Sequence, residues 1–206
     1  MPYFRGPTRH THTVKSAIID GVAEGPLTGR LLVASPWLRD ANFARTVVLI
    51  LGHGDEGALG LVLNRPSSTP VGEAVPNWSD QAATPPYVYV GGPVELSSAI
   101  CLARVGAAGG SEGWQPLFGR LGTLDIGLEP EDVGVDVERL RVFAGHAGWA
   151  AGQLEGEIEA KMWFVLPADP SDALSEQPAT LWGDVLRRQP GPLAMVANFP
   201  TDLSFN

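Results

Sequence analysis

Two short apolar runs that lie close together most constrain what this chain can fold into. Thr46–Leu51 and Ala58–Leu63 are dominated by valine, leucine and isoleucine, and only residues 52–57 separate them. Runs of this length that are bounded by glycine are typical of buried β-strands. Because so short a link joins antiparallel strands, we predict a β-hairpin within a buried sheet.

The link between the two runs also matches a nucleotide-binding pattern. Gly52–Gly57 reads G-x-G-x-x-G, but in a dinucleotide fold this loop opens a helix whose N-terminus faces the pyrophosphate. Here the loop leads into a second predicted strand, and Asp55 and Glu56 would repel phosphate. We therefore predict a hairpin turn. A G-x-S-x-G match at Gly109–Gly113 lies in a glycine-rich linker, which is not the context of a nucleophile elbow.

The remaining pattern predicts a loop-rich α/β or α+β domain without internal repeats. Alternating or apolar segments predict strands at Leu31–Ala34, Tyr87–Val90, Ser98–Arg104, Arg120–Gly127, Leu140–Ala144 and Glu159–Leu166. Apolar residues at helical spacing predict helices at Trp149–Glu157 and from Leu181 to Arg188. Short helices are also expected near Val71–Val75 and within the acidic segment Glu129–Arg139. Gly145–Gly148 is predicted as a turn. We expect residues 1–28 to be a flexible leader and residues 29–206 to form one domain.

Composition and charge exclude several classes of function. The chain has 206 residues, of which 44% are hydrophobic, and 14 basic against 23 acidic residues give a net charge of −9. This charge disfavours direct DNA binding, which requires clustered Lys and Arg. The single cysteine, Cys101, cannot form an internal disulfide and is expected to be a buried thiol in a reducing compartment. No signal peptide or membrane-spanning run is visible, so we expect a soluble cytoplasmic protein.

Polar residues at the ends of the predicted strands are the candidate site. Arg45, Asn64 and Arg65 flank the hairpin, and His146 follows a later strand. Glycine turns at Gly91-Gly92 and Gly145–Gly148 would expose backbone N–H groups suited to an anion. These residues would form one cleft for a small anionic ligand. The competing interpretation is that each one makes a buried ion pair or caps backbone groups.

Metal and cofactor sites find no support in the sequence. The histidines are His10, His12, His53 and His146, and no C-x-x-C, H-E-x-x-H or P-loop pattern accompanies them. His10 and His12 have no further ligand nearby. We predict no metal, no cofactor and no catalytic residue, although His53 and His146 have the chemistry for acid–base roles.

Several ordered motifs give the chain a family resemblance. They are G-R-L-L-V-A-S-P at Gly29–Pro36, D-x-x-F-x-R-T-V-V-L at Asp40–Leu49, G-A-L-G-L-V-L-N-R-P at Gly57–Pro66, G-G-P-V at Gly91–Val94, A-G-H-A-G-W-A-A-G-Q-L-E-G-E-I at Ala144–Ile158 and the strand Trp163–Pro167. Over residues 29–206 the chain resembles the bacterial AlgH/YqgE family (UPF0301, DUF179).

The resemblance implies a fold but little chemistry. It implies a single compact domain with a large mixed, mostly antiparallel sheet flanked by helices, in a cytoplasmic protein. Some members are labelled transcriptional regulators because of a proposed role in alginate production. The resemblance supplies no catalytic residue. Where the family usually has Tyr in G-Y-A-G-W, this chain has His146, which removes any role for a phenol hydroxyl there.

Three functions follow as hypotheses. The first is a non-enzymatic regulatory protein that binds a small anionic ligand or a protein partner. The alternative is a hydrolase or transferase that acts on a small anionic substrate near Arg45, Asn64, Arg65 and His146. The third, direct transcriptional regulation, is opposed by the net charge and by the absence of a helix-turn-helix pattern.

Overall fold

A computed structural model describes residues 15–16, 26–107 and 112–200 of the chain. Most of the predicted leader, including His10 and His12, lies outside these residues, and so does most of the G-x-S-x-G segment.

The described residues form eleven strands, four short α-helices and one 3₁₀ helix. The strands are β1 (Lys15–Ser16), β2 (Arg30–Ala34), β3 (Val47–Gly54), β4 (Gly57–Val62), β5 (Pro66–Pro70), β6 (Tyr87–Val90), β7 (Val94–Val105), β8 (Trp114–Phe118), β9 (Leu121–Leu124), β10 (Val137–Ala150) and β11 (Trp163–Pro167). The helices are α1 (Val71–Ala74), α2 (Gln153–Glu159), α3 (Leu181–Arg187) and α4 (Leu193–Val196), with the 3₁₀ helix at Pro76–Gln81.

All eleven strands join one curled, mixed sheet whose main path is β11-β2-β3-β4-β10-β7-β9-β8. Most neighbours are antiparallel, whereas β1 pairs with β7 and β6 pairs with β10 in parallel. The fold class is therefore the single, mostly antiparallel α+β domain that the sequence and the resemblance predicted. None of the described helices is long and apolar enough to cross a membrane.

The β3–β4 hairpin forms as predicted, and its first strand, β3, is buried on both faces. Gly54 pairs with Gly57 at its tip, so the G-x-G-x-x-G segment is a hairpin turn. On one face Val47, Leu49 and Leu51 pack with Trp182 and Val185 of α3. On the other face Val48 and Ile50 pack with Trp149, Trp163 and Leu154 of α2. Burial on both faces explains why β3 is a continuous apolar run.

A buried arginine ties two connections to the sheet. Arg141 on β10 is 1% exposed, and its guanidinium donates to the carbonyls of Thr84 at 2.8 Å and Ser175 at 2.9 Å. It also lies 4.3 Å from the centre of the Tyr89 ring. Burial lowers the pKa of Arg141. These contacts hold the segment before β6 and the segment before α3 on the same face of the sheet.

The strand β10 connects the two halves of the sheet, and the chain crosses it once between β6 and β7. Ala144 pairs with Ala99 of β7 and also with Val90 of β6, so these two strands occupy opposite edges of β10. Only Gly91–Pro93 lie between Val90 and Val94. These three residues must therefore pass across β10.

The crossing brings two backbones into direct contact. A methyl group added to Gly91 would overlap the carbonyl oxygen of Gly145, and one added to Gly92 would overlap the backbone between His146 and Ala147. Gly145 itself has φ +68°, and a methyl group there would lie 2.7 Å from the carbonyl oxygen of Val94. Glycine is required at this crossing because no side chain fits between the strands.

Several predicted elements are corrected by the structure. Gly145–Gly148 is not a turn but the interior of β10, since β4 and β7 continue to pair beside it. Consequently Trp149 lies in a strand, the helix predicted at Trp149–Glu157 is shifted to Gln153–Glu159, and the strand predicted from Glu159 begins only at Trp163. The segment Glu129–Asp136 forms turns rather than a helix. The strand predicted at Ser98–Arg104 is part of the longer β7, which begins at Val94 and pairs with β10.

Because there is no room for a side chain at Gly91, we expect any substitution there to lower the free energy of unfolding strongly. We expect Gly91→Ala to lower the free energy of unfolding by roughly 3 kcal/mol, the upper range for overpacking a closed interior. Gly156→Ala is the matched control: it lies within α2, where an added methyl group meets nothing within 4 Å. That variant should be neutral or stabilising by about 0.5–1 kcal/mol. Urea unfolding measures both values, and equal effects would contradict the close packing of the crossing.

Candidate functional site

The loop before β3, residues 40–46, is organised by its own hydrogen bonds. The Asp40 carboxylate accepts from the Asn42 N–H at 2.8 Å, and the Thr46 hydroxyl donates to the Phe43 carbonyl at 2.8 Å. The Phe43 ring lies 6.1 Å from that of Trp149 and 5.7 Å from that of Trp163. The 40–46 loop is thus fixed to the sheet through an aromatic cluster.

Arg45 faces the C-terminal segment instead of an open cleft. It has φ +56°, and its guanidinium donates to the carbonyls of Phe199, at 2.6 Å, and Pro200. The same group lies 4.4 Å from the centre of the Trp182 ring, and burial lowers the pKa of Arg45. Arg45 therefore holds residues 199–200 against the fold.

Asn64 connects the end of the hairpin to the 40–46 loop. Its side-chain amide donates to the Arg45 carbonyl at 2.9 Å, and its side-chain oxygen accepts from the Val47 N–H at 3.1 Å. Both contacts satisfy backbone groups that lie outside the regular sheet ladder. Asn64 has the capping role that was the competing interpretation of the sequence.

Arg65, the next residue, points outward. Its side chain is exposed, and one guanidinium nitrogen donates to the Ala44 carbonyl at 2.8 Å. This partner is a neutral carbonyl and not a carboxylate, so the contact orients the positive charge of Arg65 without neutralising it. Such a charge is available to an anion.

The glycines and His146 lie at the crossing. The Gly91 N–H donates to the Ala144 carbonyl at 2.9 Å, and the Gly91 carbonyl accepts from the Val62 N–H at 2.8 Å. The backbone of Gly91 is thus engaged by the sheet and offers no cradle for an anion. Half-buried His146 lies on β10 opposite Val94, with Gly92 packed on its backbone.

A cleft of about 380 Å³ opens where the crossing, the end of β4 and the 40–46 loop meet. Its lining combines two of the predicted site residues, Arg65 and Gly92, with residues that the sequence did not indicate. The latter are Ala41, Asn42, Val62, Pro66, Val90, Pro93 and Leu96. Ligand pockets in proteins commonly measure about 300–1,000 Å³, so this cleft is large enough for a small molecule.

One wall of the cleft is a bulge in β7. Val94 pairs with His146 and Ala99 pairs with Ala144, so four residues of β7 oppose the single Gly145 of β10. Within the bulge Glu95 has φ +50°, and Leu96 is 59% exposed. Bulges of this kind commonly redirect a side chain beside a binding site. Here the bulge presents Leu96 to the cleft.

The lining determines what the cleft can do chemically. Its walls are mainly aliphatic, and the polar side chains among the lining residues are those of Arg65 and Asn42. The lining thus has one cation and one amide but no side chain with a nucleophile or an acid–base group. This arrangement is suited to holding a partly apolar anion and has no side chain to move its protons.

Other reactive side chains lie elsewhere. His53 Nε2 is 2.6 Å from Glu155 Oε1, two strands away from His146. The pKa of Glu155 is lowered by its own backbone N–H and by the hydrogen bond from His53. Cys101 is buried, and desolvation strongly raises the pKa of its thiol, as expected for a structural cysteine. The described residues contain no group of three or more His, Cys, Asp or Glu arranged to hold a metal.

Comparison with known proteins places the chain among similar sequences. A family model described as AlgH-like (DUF179) matches residues 31–194. A UPF0301 protein of Streptomyces coelicolor is 50% identical over 184 residues, which is 87% of this chain and 95% of the relative. A UPF0301 protein of Mycobacterium tuberculosis is 49% identical over 181 residues, or 86% and 90% of the two chains.

Two solved structures share the fold. A crystal structure of a Corynebacterium diphtheriae protein is similar with a TM-score of 0.79 and 36% identity, over 85% of this chain and 93% of that one. The solution structure of AlgH from Pseudomonas aeruginosa, also UPF0301, gives a TM-score of 0.61 and 27% identity, over 86% and 97%. None of these names states an enzymatic activity or a ligand.

Because the Asn64 side chain bonds two backbone groups, we expect its replacement to lower the stability of the fold. Asn64→Ala leaves the Arg45 carbonyl and the Val47 N–H without their partner, so the free energy of unfolding should fall by about 2 kcal/mol. Asn77→Ala is the control, because the Asn77 amide bonds Glu129 on the exposed surface and should cost less than about 0.5 kcal/mol. Chemical denaturation compares the two. An Asn64 variant as stable as the Asn77 variant would show that this bridge is dispensable.

Proposed function

The chain belongs to the AlgH-like family. We propose that it is a non-enzymatic regulatory protein that binds a small, partly apolar anion in the cleft beside Arg65. The observation that carries this proposal is the orientation of Arg65. Its guanidinium donates to the neutral Ala44 carbonyl, and it lies at the edge of a cleft whose other lining side chains are aliphatic apart from that of Asn42. A carboxylate or phosphate on the ligand would accept from Arg65 while its apolar part lies along Val90 and Leu96.

Two other arginines support this assignment because backbone carbonyls already engage them. Arg45 is occupied by the carbonyls of residues 199–200, and Arg141 by those of Thr84 and Ser175. Each of these side chains fixes the fold. Arg65 is thus the cation that lines the cleft, and the 40–46 loop and Asn64 hold it in place.

A binding role is favoured over a hydrolase or transferase by the lining itself. Acyl or phosphoryl transfer needs a nucleophile or base within hydrogen-bond reach of the reacting atom. The side chains at the cleft are aliphatic apart from Arg65 and Asn42. In such a regulatory protein, binding of the anion would change the surface of the cleft, and a second molecule would bind differently to the changed surface.

A protein partner is the second candidate, and a specific feature of the rim favours it. Val90, Val94 and Leu96 are 40%, 39% and 59% exposed, which forms an apolar strip beside the positive charge of Arg65. A partner segment that carries both acidic and apolar side chains would match this strip.

We further propose a cytoplasmic location and regulation without direct DNA contact. The net charge of −9 opposes binding to the phosphates of DNA.

A ligand screen tests the proposal. The probes are short- and medium-chain carboxylates, phosphorylated metabolites and nucleotides, each added to the full chain during thermal unfolding. A ligand at a hundred times its Kd stabilises the native state by about 2.7 kcal/mol, which raises the Tm of a chain of this size by roughly 5–10 °C. We expect at least one carboxylate with an apolar body to produce such a shift.

Matched variants then locate the binding. Arg65→Gln should weaken the identified ligand at least about tenfold, the loss of one charge-assisted hydrogen bond, and Arg65→Lys should retain part of the affinity. Arg139→Gln is the control, because Arg139 is an exposed cation on β10 that does not line the cleft. Absence of any stabilising probe would oppose the proposal. So would a ligand whose affinity is equal in the Arg65 and Arg139 variants.

A further inference from the structure

One carboxylate of α2 holds both tryptophans that contact the 40–46 loop. The Oε2 atom of half-buried Glu157 accepts from the indole N–H of Trp149 at 2.9 Å and from that of Trp163 at 2.8 Å. Its other oxygen, Oε1, accepts from the Gln153 side chain at 2.9 Å, one helical turn earlier. Both indoles are buried, and buried polar groups need a hydrogen-bond partner. Glu157 is that partner for β10 and β11 at once.

The two indole rings in turn position Phe43 of the 40–46 loop. Trp149 and Trp163 meet edge to face, with their ring centres 6.1 Å apart. Phe43 stacks on Trp149, with 29° between the ring planes, and lies edge-on to Trp163. Such contacts depend on the orientation of each ring. A rotation of either indole would therefore displace Phe43.

The position of Phe43 fixes the backbone that Arg65 contacts. The Phe43 carbonyl accepts from both the N–H and the hydroxyl of Thr46, which closes the loop around Ala44. The Ala44 carbonyl then accepts from the Arg65 guanidinium. Glu157 is thus linked to Arg65 through two indole rings, one phenyl ring and a short stretch of backbone.

We propose that Glu157 is a positioning residue for the anion cleft, although it is not part of the cleft lining. Its carboxylate fixes the orientation of the two indoles and hence the 40–46 loop, which presents Asn42 and orients Arg65 at the cleft. The part of this inference that concerns a ligand rests on the proposed function. The link from Glu157 to the 40–46 loop rests only on the contacts described above.

Glu155, on the same helix, provides a matched control. Its Oε1 atom lies 2.6 Å from Nε2 of buried His53. His53 lies near the end of β3, whereas the 40–46 loop precedes the start of that strand. Loss of the Glu155 carboxylate therefore takes one hydrogen bond to a buried ring away from α2 but leaves the contacts of Phe43 intact.

Amide hydrogen exchange of the full chain tests the link without any ligand. Glu157→Ala leaves two buried indole N–H groups without their acceptor, so we expect the rings to turn and the loop to loosen. Exchange at Ala44 and Thr46, whose N–H groups donate within the loop, should become at least about fivefold faster. Glu157→Gln retains one side-chain oxygen for the indoles and should restore slow exchange. Glu155→Ala should leave both amides unchanged.

The exchange result decides the mechanical part of the proposal. Unchanged exchange at Ala44 and Thr46 in Glu157→Ala would overturn it, and so would equal acceleration in Glu155→Ala. If Glu157→Ala does not fold, Glu157→Asp replaces it with the same expected result, because the shorter side chain cannot reach both indoles.

Binding of octanoate, a medium-chain carboxylate, tests the effect on the cleft. Glu157→Ala should weaken octanoate about fivefold, and Glu155→Ala should leave its affinity unchanged. In a chain that already carries Arg65→Gln, Glu157→Ala should weaken octanoate by less than about twofold, because most of its effect passes through Arg65. Full additivity of the two losses would contradict the proposal, as would equal octanoate affinity of the unsubstituted chain and Glu157→Ala.

The two readouts separate this inference from the proposed function. If octanoate binds none of the chains while Glu157→Ala accelerates exchange in the 40–46 loop, the result opposes the anion site and supports Glu157 as the residue that holds the loop. If octanoate binds and Arg65→Gln weakens it, but Glu157→Ala changes neither readout, the anion site is supported and the role of Glu157 is overturned.

Discussion

The contact of one backbone with another at the β6–β7 crossing is the constraint on which the rest of the structure depends. Gly91 and Gly92 lie against β10 at Gly145–Ala147, with no room for a side chain. This contact lets β6 pair with one edge of β10 and β7 with the other. It also leaves β7 with a bulge of residues that cannot follow β10. The cleft exists because the chain leaves the regular sheet at this point.

The polar residues around the crossing divide into two groups by direction. Arg45 donates to carbonyls of the C-terminal segment, and Asn64 bonds the Arg45 carbonyl in the 40–46 loop and the Val47 N–H at the start of β3. Arg65 points outward, oriented by the loop that the others hold. Desolvation favours this division, since the partly buried guanidinium of Arg45 needs several acceptors, whereas an exposed guanidinium is hydrated and needs no protein carboxylate beside it. The same motif thus provides both a rigid support and one available charge.

The sequence predicted the local elements better than the long-range ones. The β3–β4 hairpin, β6, β11 in part and α3 follow from apolar runs and spacing, which depend only on nearby residues. Gly145–Gly148 was predicted as a turn because two glycines so close together are typical of one. Their actual cause is the distant Gly91–Pro93 segment, which packs across them, and no local pattern reports that contact.

The candidate site, too, could be predicted from the sequence only where local patterns indicate it. Arg65 and Gly92 were found from their positions at strand ends, and both line the cleft. Val90 and Leu96 were not, because apolar residues in or near strands are expected to be buried. Their exposure results from the crossing and from the bulge at Glu95.

The central claim is that a partly apolar anion binds in the cleft at the crossing. Methyl NMR of the full chain during titration with a stabilising carboxylate tests this claim most directly. We expect the largest shifts at Val62, Val90 and Leu96, and shifts confined to residues remote from the crossing would contradict it.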